Sequence, residues 1–272
     1  MAAVAGSQEV NRGDLTARTM ITTENVAAAF DEVAPSYDLM VALNPSYHSH
    51  LRNAADALVE WLPRPRLDGV PPPVRLVDLG CGSGASTRAV QQAAEAAGLD
   101  FGIVGVDAST GMLEQARAKR WPTSIRFEVG QAEEICWSRD LWGLGDGVHG
   151  AFAAYLFRNL ADRDPVLAGL CDLLADDGVL VVQEYSVAGS RRAQLIWTAV
   201  CWLAIIPLGW LTSRRTRLYR YLWRSVRSFD SIQTFVDRLY RAGFTDVEVR
   251  TALGWQRGIL HTFRMRKPSG VP

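Results

Sequence analysis

The feature that most constrains this chain is an apolar segment that leads directly into three glycines at alternate positions. Residues 76–79 read Leu-Val-Asp-Leu, and Gly80, Gly82 and Gly84 follow before a run rich in alanine. Glycine lets a backbone approach a ligand closely, and the helix that follows such a turn presents unpaired N–H groups to an anion. The pattern therefore predicts a strand, a ligand-binding turn and a helix, which together begin a βαβ unit.

The spacing of the glycines narrows the choice of ligand. Dinucleotide-binding turns have the pattern G-x-G-x-x-G, whereas this turn is G-x-G-x-G preceded by Asp78, and it resembles the turn of S-adenosylmethionine-dependent methyltransferases. A second apolar run, Phe101 to Val106, ends at Asp107, which lies 23 residues beyond Gly84. An acid at that place can bind both ribose hydroxyls. As an isolated residue, Asp107 would be interpreted as the N-cap of a helix that begins near Thr110.

Length and charge limit the class of protein. A chain of 272 residues is long enough for one large α/β domain, which we place at residues 24–272. The 29 basic residues balance the 29 acidic ones, so no nucleic acid partner is expected. The four cysteines form no C-x-x-C pair, which favours single thiols in a reducing cytoplasm. Residues 1–23 have no charged start followed by an apolar core, and we interpret them as a disordered tail.

The remaining pattern alternates strands with helices. Residues 24–73 predict a helix from Glu24 to Met40 that breaks near Pro35, a second helix from Tyr47 to Leu62, and a proline-rich linker. The alternation that follows predicts a parallel sheet with right-handed crossovers, closed by an antiparallel pair of strands. The predicted strands are Arg75–Leu79, Ile103–Val106, Ile125–Val129, Gly150–Tyr155, Val179–Glu184, Asp246–Ala252 and Ile259–Met265.

An unusual segment at residues 187–230 interrupts this alternation. Leu195 to Leu211 is densely apolar and includes three tryptophans, six arginines follow by Arg227, and no acidic residue lies between Arg191 and Arg227. The apolar run is shorter than the roughly 20 residues of a spanning helix and contains Pro207, so we do not expect it to cross a membrane. It favours a helical insertion in which residues 195–227 contact an anionic membrane surface. A buried helical hairpin with solvated arginines and a contact with a second subunit of a homodimer remain open.

Five blocks of sequence together resemble the ubiquinone/menaquinone biosynthesis C-methyltransferase family. These blocks are Phe30–Asp38, Asp78–Gly84, Phe157–Asn159, Gln183–Ser186 and Gly258–His261. The resemblance implies a Rossmann-like class I methyltransferase fold with a seven-stranded, mostly parallel sheet whose last strand is reversed. It also implies methyl transfer from S-adenosylmethionine to a ring carbon of a lipophilic quinol. Members of the family commonly have an acid beside adenine where this chain has Gln131, whose amide can also pair with the ring.

The residues expected to hold the cofactor follow the carboxyl ends of the first three strands. Met112 would face adenine, although a methionine at helical spacing is more often part of a core. The full set is Asp78, Gly80, Gly82, Gly84, Asp107, Ala108, Met112, Gln131 and Ala132.

The catalytic candidates follow from what methylation of a ring carbon requires. Arg158 follows the fourth strand and remains protonated, so we assign it to stabilising oxyanion charge, with Asn159 orienting the oxygen. His261 is the candidate proton acceptor, although a lone histidine is more often structural. Glu184 would hold Arg158 or receive a proton through water, or serve only as a strand-end ion pair. Tyr37 would cap the pocket or simply pack its helix on the sheet.

Two other enzyme chemistries and one non-enzymatic role remain as alternatives. His48 and His50 form a His-x-His pair, but no acidic or cysteine cluster completes a set of metal ligands, so no metal is expected. The acceptor atom could be an oxygen or nitrogen of a soluble metabolite, or the chain could be a non-catalytic scaffold subunit. We expect the protein in the cytoplasm, with peripheral attachment at the inner face of the membrane left open.

Overall fold

The computed structural model describes residues 25–42, 46–62, 73–138, 140–145, 147–213 and 216–270. Two sequence predictions fall largely outside these ranges. The predicted disordered tail at residues 1–23 and the proline-rich linker between residues 63 and 72 therefore stay predictions, and so does the placement of Arg214 and Arg215.

A seven-stranded sheet forms the centre of the fold. The strand order is β3-β2-β1-β4-β5-β7-β6, and β1 to β5 pair in parallel, whereas β7 runs antiparallel to both of its neighbours. The predicted sheet with a reversed last strand is confirmed. The strands are β1 (Val74–Leu79), β2 (Phe101–Asp107), β3 (Ile125–Val129), β4 (Val148–Ala154), β5 (Leu174–Tyr185), β6 (Thr245–Thr251) and β7 (Leu260–Arg266).

Helices cover both faces of the sheet. The central strands are apolar on both faces, as expected for parallel strands between two helical layers, and Ala151–Ala153 and Val179–Val182 are fully buried. The helices are α1 (Val26–Asp31), α2 (Ala34–Ala42), α3 (Tyr47–Trp61), α4 (Ala85–Ala96), α5 (Thr110–Arg117), α6 (Ile135–Ser138), α7 (Asp164–Leu173), α8 (Arg191–Val200), α9 (Ile206–Ser213), α10 (Arg217–Ser228) and α11 (Ile232–Arg241). One core lies under α3, α4 and α5, and the other lies under α7 and α11.

The N-terminal helices follow the sequence prediction with one shift. The break between α1 and α2 lies at Glu32 and Val33, and Pro35 stands in the first turn of α2. Proline is tolerated there because the first N–H groups of a helix have no partner within it. The first helix therefore ends at Asp31, four residues before the proline.

The predicted insertion is helical, and its helix is longer than the apolar run counted from the sequence. Residues Arg191–Leu211 form one continuous helix of 21 residues, which is long and apolar enough to cross a membrane by length and composition. A π-helical turn at Cys201–Ile205 joins α8 to α9. Such a turn absorbs an extra residue just before Pro207, whose missing N–H would otherwise interrupt a regular helix. The apolar run counted from the sequence begins at Leu195, whereas the helix begins at Arg191 and continues through Pro207.

One stripe of this long helix is packed against the domain. Ala193, Trp197 and Cys201 are buried at a spacing of four residues. Trp197 Nε1 donates to the carbonyl of Trp223 on α10 at 3.4 Å. The helix is therefore attached to the domain along its side, with α10 as its neighbour.

Helix α10 also packs against the N-terminal helices. Leu218 and Tyr221 on α10 form a small core with Val33, and Phe30 and Tyr37 lie against it. This contact brings the insertion next to the residues that close the main cavity, described below.

Candidate active site

The glycine turn after β1 lies over the first turn of α4 and opens toward a cavity. Gly80 has a φ of +73°, and a Cβ there would come within 3.0 Å of the side chain of Leu156. Gly82 has a φ of +53°, and a Cβ there would meet nothing within 4 Å. Both positions favour glycine because their φ angles are positive. At Gly80 a side chain would also be too close to Leu156.

Asp78 lies beneath the turn and does not line the cavity. The hydroxyls of Ser86 and Thr87 donate to its Oδ2 at 2.7 and 2.6 Å. Burial raises the pKa of Asp78 to about 6, while these two hydrogen bonds oppose the rise. The structure therefore gives Asp78, predicted to bind the cofactor, the position of an anchor that fixes α4 under the turn.

Asp107 stands at the end of β2, beside the turn. Its Oδ2 accepts from the N–H of Gly82 at 2.7 Å, and its Oδ1 accepts from the N–H of Ser109 at 2.8 Å. Burial raises the pKa of Asp107, and the two backbone hydrogen bonds oppose that effect. The carboxylate thus joins the glycine turn to the β2–α5 turn, and it lines the cavity between them.

A cavity of about 250 Å³ lies at the carboxyl ends of β1, β2 and β4. Strand order reverses between β1 and β4, and open α/β sheets bind ligands at such a point. The structure brings together seven of the nine predicted cofactor residues along its wall. These seven are Gly80, Gly82, Asp107, Ala108, Met112, Gln131 and Ala132.

Gly84 is the other predicted cofactor residue outside the wall. Its φ is +88°, and a Cβ there would lie 2.8 Å from the ring of Trp121. Gly84 precedes α4 as its N-cap, so its role in this structure is to let the turn enter the helix beside that ring. The third glycine of the motif serves packing, whereas the first two face the cavity.

Gln131 stands where members of the family commonly have an acid, and the neighbouring part of the wall supplies an acidic side chain. Gln131 and Glu134 form a reciprocal capping box around the short 3₁₀ helix Ala132–Glu134. Glu133, two residues beyond Gln131, also lines the cavity and was not a sequence candidate. An acidic side chain is therefore present in this part of the wall at a neighbouring position.

Arg158 is fixed by a buried ion pair. It lies in the 3₁₀ turn Phe157–Asn159 after β4, and its Nη1 donates to Glu184 Oε1 at 2.8 Å and to the carbonyl of Tyr155 at 2.6 Å. Glu184 is fully buried and does not line the cavity, whereas Arg158 does. Asn159, also in the wall, donates from Nδ2 to the same carbonyl of Tyr155 at 3.1 Å.

Three tyrosines complete this part of the wall, and sequence analysis identified only Tyr37. Tyr47 and Tyr155 stack at 5.6 Å between ring centroids, and Tyr185 stacks on Tyr155 at 5.1 Å. Burial raises the pKa of Tyr37, Tyr47 and Tyr155, so their hydroxyls stay neutral at physiological pH. Tyr155 also has a φ of +59°, a strained conformation for a bulky residue. Its place after β4 was the signal that could have identified it.

The structure does not bring His261 to this cavity. His261 pairs with Glu184 across β7 and β5, but its side chain lines a different cavity, beside α8. The reason is topological, because β7 lies two strands away from β4 and outside the switch point. Burial lowers the pKa of His261, and nearby backbone groups of Gly258 and Ser186 oppose that shift. Its predicted role as the proton acceptor is not supported by this placement.

The remaining chemical candidates of the sequence are metal ligands and thiols, and of these Cys81 lines the cavity. Within the described ranges, no three His, Cys, Asp or Glu side chains come together as metal ligands. Cys81, Cys171 and Cys201 are buried free thiols.

The strand order, the open glycine turn and the acid at the end of β2 together define a class I S-adenosylmethionine-dependent methyltransferase. The cavity suits that cofactor because Gly82 leaves space over the turn and Asp107 offers a carboxylate for ribose hydroxyls. Gly80 and Gly82 would hold its methionyl end, and Met112 and Gln131 its adenine. This chain belongs to the ubiE/COQ5 methyltransferase family, which matches residues 18–262.

Individual relatives agree with this family. A demethylmenaquinone methyltransferase of Parafrankia sp. is 29% identical over 259 residues, which cover 91% of this chain and 95% of that protein. One from Thermus thermophilus is 30% identical over 221 residues, or 79% of this chain and 91% of that protein. The crystal structure of an S-adenosylmethionine-dependent methyltransferase from Mesorhizobium loti has the same fold, with a TM-score of 0.52 at 17% identity, and covers 81% of this chain and 97% of that one.

Proposed function

We propose that the chain methylates a ring carbon of a lipophilic quinol, similar to demethylmenaquinone, at the surface of a membrane. The names of the relatives support the quinol, and the observation that carries the proposal is the cavity wall itself. Arg158, neutral tyrosines and the glycine turn share one cavity, so a cationic group lies in the site that suits the cofactor.

Bound S-adenosylmethionine supplies an electrophilic methyl group, so the protein's task is to make the acceptor ring nucleophilic. A phenol becomes a much better carbon nucleophile as its hydroxyl, with a pKa near 10, loses its proton. The Arg158 guanidinium stays charged and stabilises oxyanion charge without taking the proton. The hydroxyl proton passes to water, and the proton displaced from the methylated ring carbon restores the hydroxyl through water, so the step releases one proton in all. Burial holds Tyr37 and Tyr47 neutral, and Tyr47 donates its hydrogen bond to Tyr37. Tyr37 donates a hydrogen bond to the oxygen of the acceptor, and Asn159 orients it.

The membrane part of the proposal rests on the exposed side of the long helix. Leu195 and Leu203 are 72% and 81% exposed, and Trp202, Trp210 and Leu211 are also exposed. A helix that is apolar on its packed side and on its open side needs a second apolar environment. Because one stripe is attached to the domain, we place this helix along the interface instead of across the bilayer.

The charges of α10 fit the same surface. Arg217, Arg220, Arg224 and Arg227 are exposed at helical spacing, while Leu218 and Tyr221 face the protein. Arg220 lies over the ring of Trp202 at 5.8 Å, so the cationic stripe adjoins the apolar one. Arginines next to exposed tryptophan are suited to anionic headgroups, which favours the cytoplasmic face of a membrane.

The reaction is tested with methyl-labelled S-adenosylmethionine and demethylated quinols in liposomes. We expect the label on a ring carbon, located by NMR, and at least a hundredfold lower kcat in Arg158→Lys, which keeps the charge but loses the forked geometry. Arg52→Gln, on the exposed side of α3, is the control and should behave as the wild type. Label on oxygen or nitrogen would establish the alternative chemistry, and absence of saturable cofactor binding would establish a scaffold.

The membrane contact is tested by a matched pair of variants. Leu203→Glu should abolish co-sedimentation with vesicles that contain phosphatidylglycerol, whereas Leu141→Glu should not. The two leucines are 81% and 82% exposed, but Leu141 lies in the turn after α6. A different result would identify the helix as a contact between two subunits. In that case the wild type does not bind vesicles and is a dimer, and Leu203→Glu is a monomer.

A further inference from the structure

A second cavity, of about 770 Å³, lies between the N-terminal part of α8 and the connection from β6 to β7. It shares none of its wall with the cavity at the glycine turn. Neither S-adenosylmethionine nor the quinol therefore accounts for this second cavity. The residues that line it suggest a different ligand.

The wall of this cavity combines cationic and apolar groups. Arg192 from α8 and Arg257 from the β6–β7 connection supply the charge, and no aspartate or glutamate is among the described residues that line it. Ile196, Ile232 and Val249 supply the apolar part. Two guanidinium groups suit a phosphate, which they can bind through charge-assisted hydrogen bonds.

A buried histidine also faces this cavity. His261 is 2% exposed and lines it, and neither ring nitrogen makes a hydrogen bond of normal geometry, although backbone groups of Gly258 and Ser186 are near. A buried polar group without a partner is costly, so an unfilled donor or acceptor here points to a polar ligand. This observation is independent of the arginines.

Both elements that form the cavity also carry large exposed apolar side chains. Trp255, which lines the cavity, is 46% exposed, Leu253 in the same connection is 85% exposed, and Leu195 on α8 is 72% exposed. The connection and α8 are neighbours, because Trp255 and Ile196 line the same cavity. A second element, distant in sequence from the long helix, thus adds apolar groups beside it.

We propose that this cavity binds one anionic phospholipid, with the phosphate between Arg192 and Arg257 and the acyl chains along the apolar wall. The inference rests on the proposed membrane association and adds a specific lipid site to it. The apolar part of the wall favours a lipid over inorganic phosphate, which would need the charges alone. The lipid would hold the β6–β7 connection and the long helix at the same surface.

The site is tested with dihexanoyl phosphatidylglycerol below its critical micelle concentration, so that no bilayer is needed. Calorimetric titration should show saturable binding that weakens at least tenfold in Arg192→Gln/Arg257→Gln. The control is Arg52→Gln/Arg120→Gln, which removes the same charge from exposed positions away from this cavity. Equal affinity in the first double variant, or equal binding of dihexanoyl phosphatidylcholine, would overturn the proposal. Equally tight binding of inorganic phosphate would also overturn it.

The site and the membrane contact can fail separately. Leu203→Glu should lose vesicle binding and keep the short-chain lipid, because Leu203 does not line the cavity. Vesicle binding without short-chain lipid binding would reject the site and leave the membrane proposal intact. Short-chain lipid binding without vesicle binding would reject the membrane proposal and leave the lipid site intact.

Discussion

Replacing Glu184 with glutamine tests the claim that Arg158 is held by a buried ion pair. Glu184 is fully buried and Arg158 is 8% exposed, with 2.8 Å between Oε1 and Nη1. Removing one partner of such a pair leaves a buried charge without compensation, which costs roughly 3–5 kcal/mol. We expect about 3 kcal/mol for Glu184→Gln, since the amide oxygen still accepts a hydrogen bond. A protein of this size should then unfold about 5 °C lower.

Thermal unfolding followed by circular dichroism measures the change, and Asp164→Asn is the matched control. Asp164 Oδ1 lies 2.6 Å from Arg238 Nη1, but Asp164 is half exposed and Arg238 keeps Asp230 as a second partner. That exposed pair should contribute less than about 1 kcal/mol. Equal losses in the two variants would refute the argument that burial determines the size of the effect.

A double variant separates stability from catalysis. Arg158→Met/Glu184→Met replaces both charges with apolar groups of similar length, which should restore most of the lost stability. The double variant should still be inactive in methyl transfer, because no cation lies beside the oxyanion. Recovery of activity in this variant would show that Arg158 serves only the fold.

Three further predictions concern the glycine turn and its acids. Burial raises the pKa of Asp78 from 3.8 to about 6, so its contribution to stability is complete below about pH 4 and is lost, by about 3 kcal/mol, as pH rises through 6. Urea unfolding should therefore show the wild type losing that much relative to Asp78→Asn between pH 4 and 7.5, and an unchanged difference would contradict the assignment. Gly80→Ala should weaken cofactor binding measured by calorimetry, whereas Gly98→Ala, at a similar φ of +67° but in open space, should change stability alone. Asp107→Asn should weaken S-adenosylhomocysteine binding roughly 10- to 100-fold, as expected for a charged hydrogen-bond acceptor, while the exposed control Asp100→Asn should bind normally.

The sheet was predictable because its strands are short apolar runs bounded by turn residues. The exception is β5, which begins at Leu174, five residues before its predicted start at Val179. Residues 176–178 read Asp-Asp-Gly, a turn pattern, and Asp177 does have a φ of +61°. Pairing of Leu174 with Val148 in β4 extends the strand across that irregularity. The turn residues keep their local conformation, and the tertiary pairing nevertheless extends the strand across them.

The site was predictable where one segment supplies both the motif and the geometry. Gly80, Gly82 and Asp107 are such residues, since the end of a strand fixes where they lie. Tyr47 and His261 are not, because their positions depend on how α3 and β7 pack against the rest of the fold. Sequence spacing carries no information about that packing. Tyr47 was therefore not identified, and His261 was expected beside the acceptor but lines another cavity.

The π-helical turn at Cys201–Ile205 makes the long helix sensitive to a single deletion. Such a turn contains one residue more than the regular helix. Removing one residue there would leave α8 in place on the domain and rotate everything beyond it by about 100° around the helix axis. Trp210 and Leu211, exposed now, would then turn away from their present direction. One inserted residue thus determines the direction in which the side chains of α9 point relative to those of α8. A one-residue deletion would change that direction and leave the rest of the sequence unaltered.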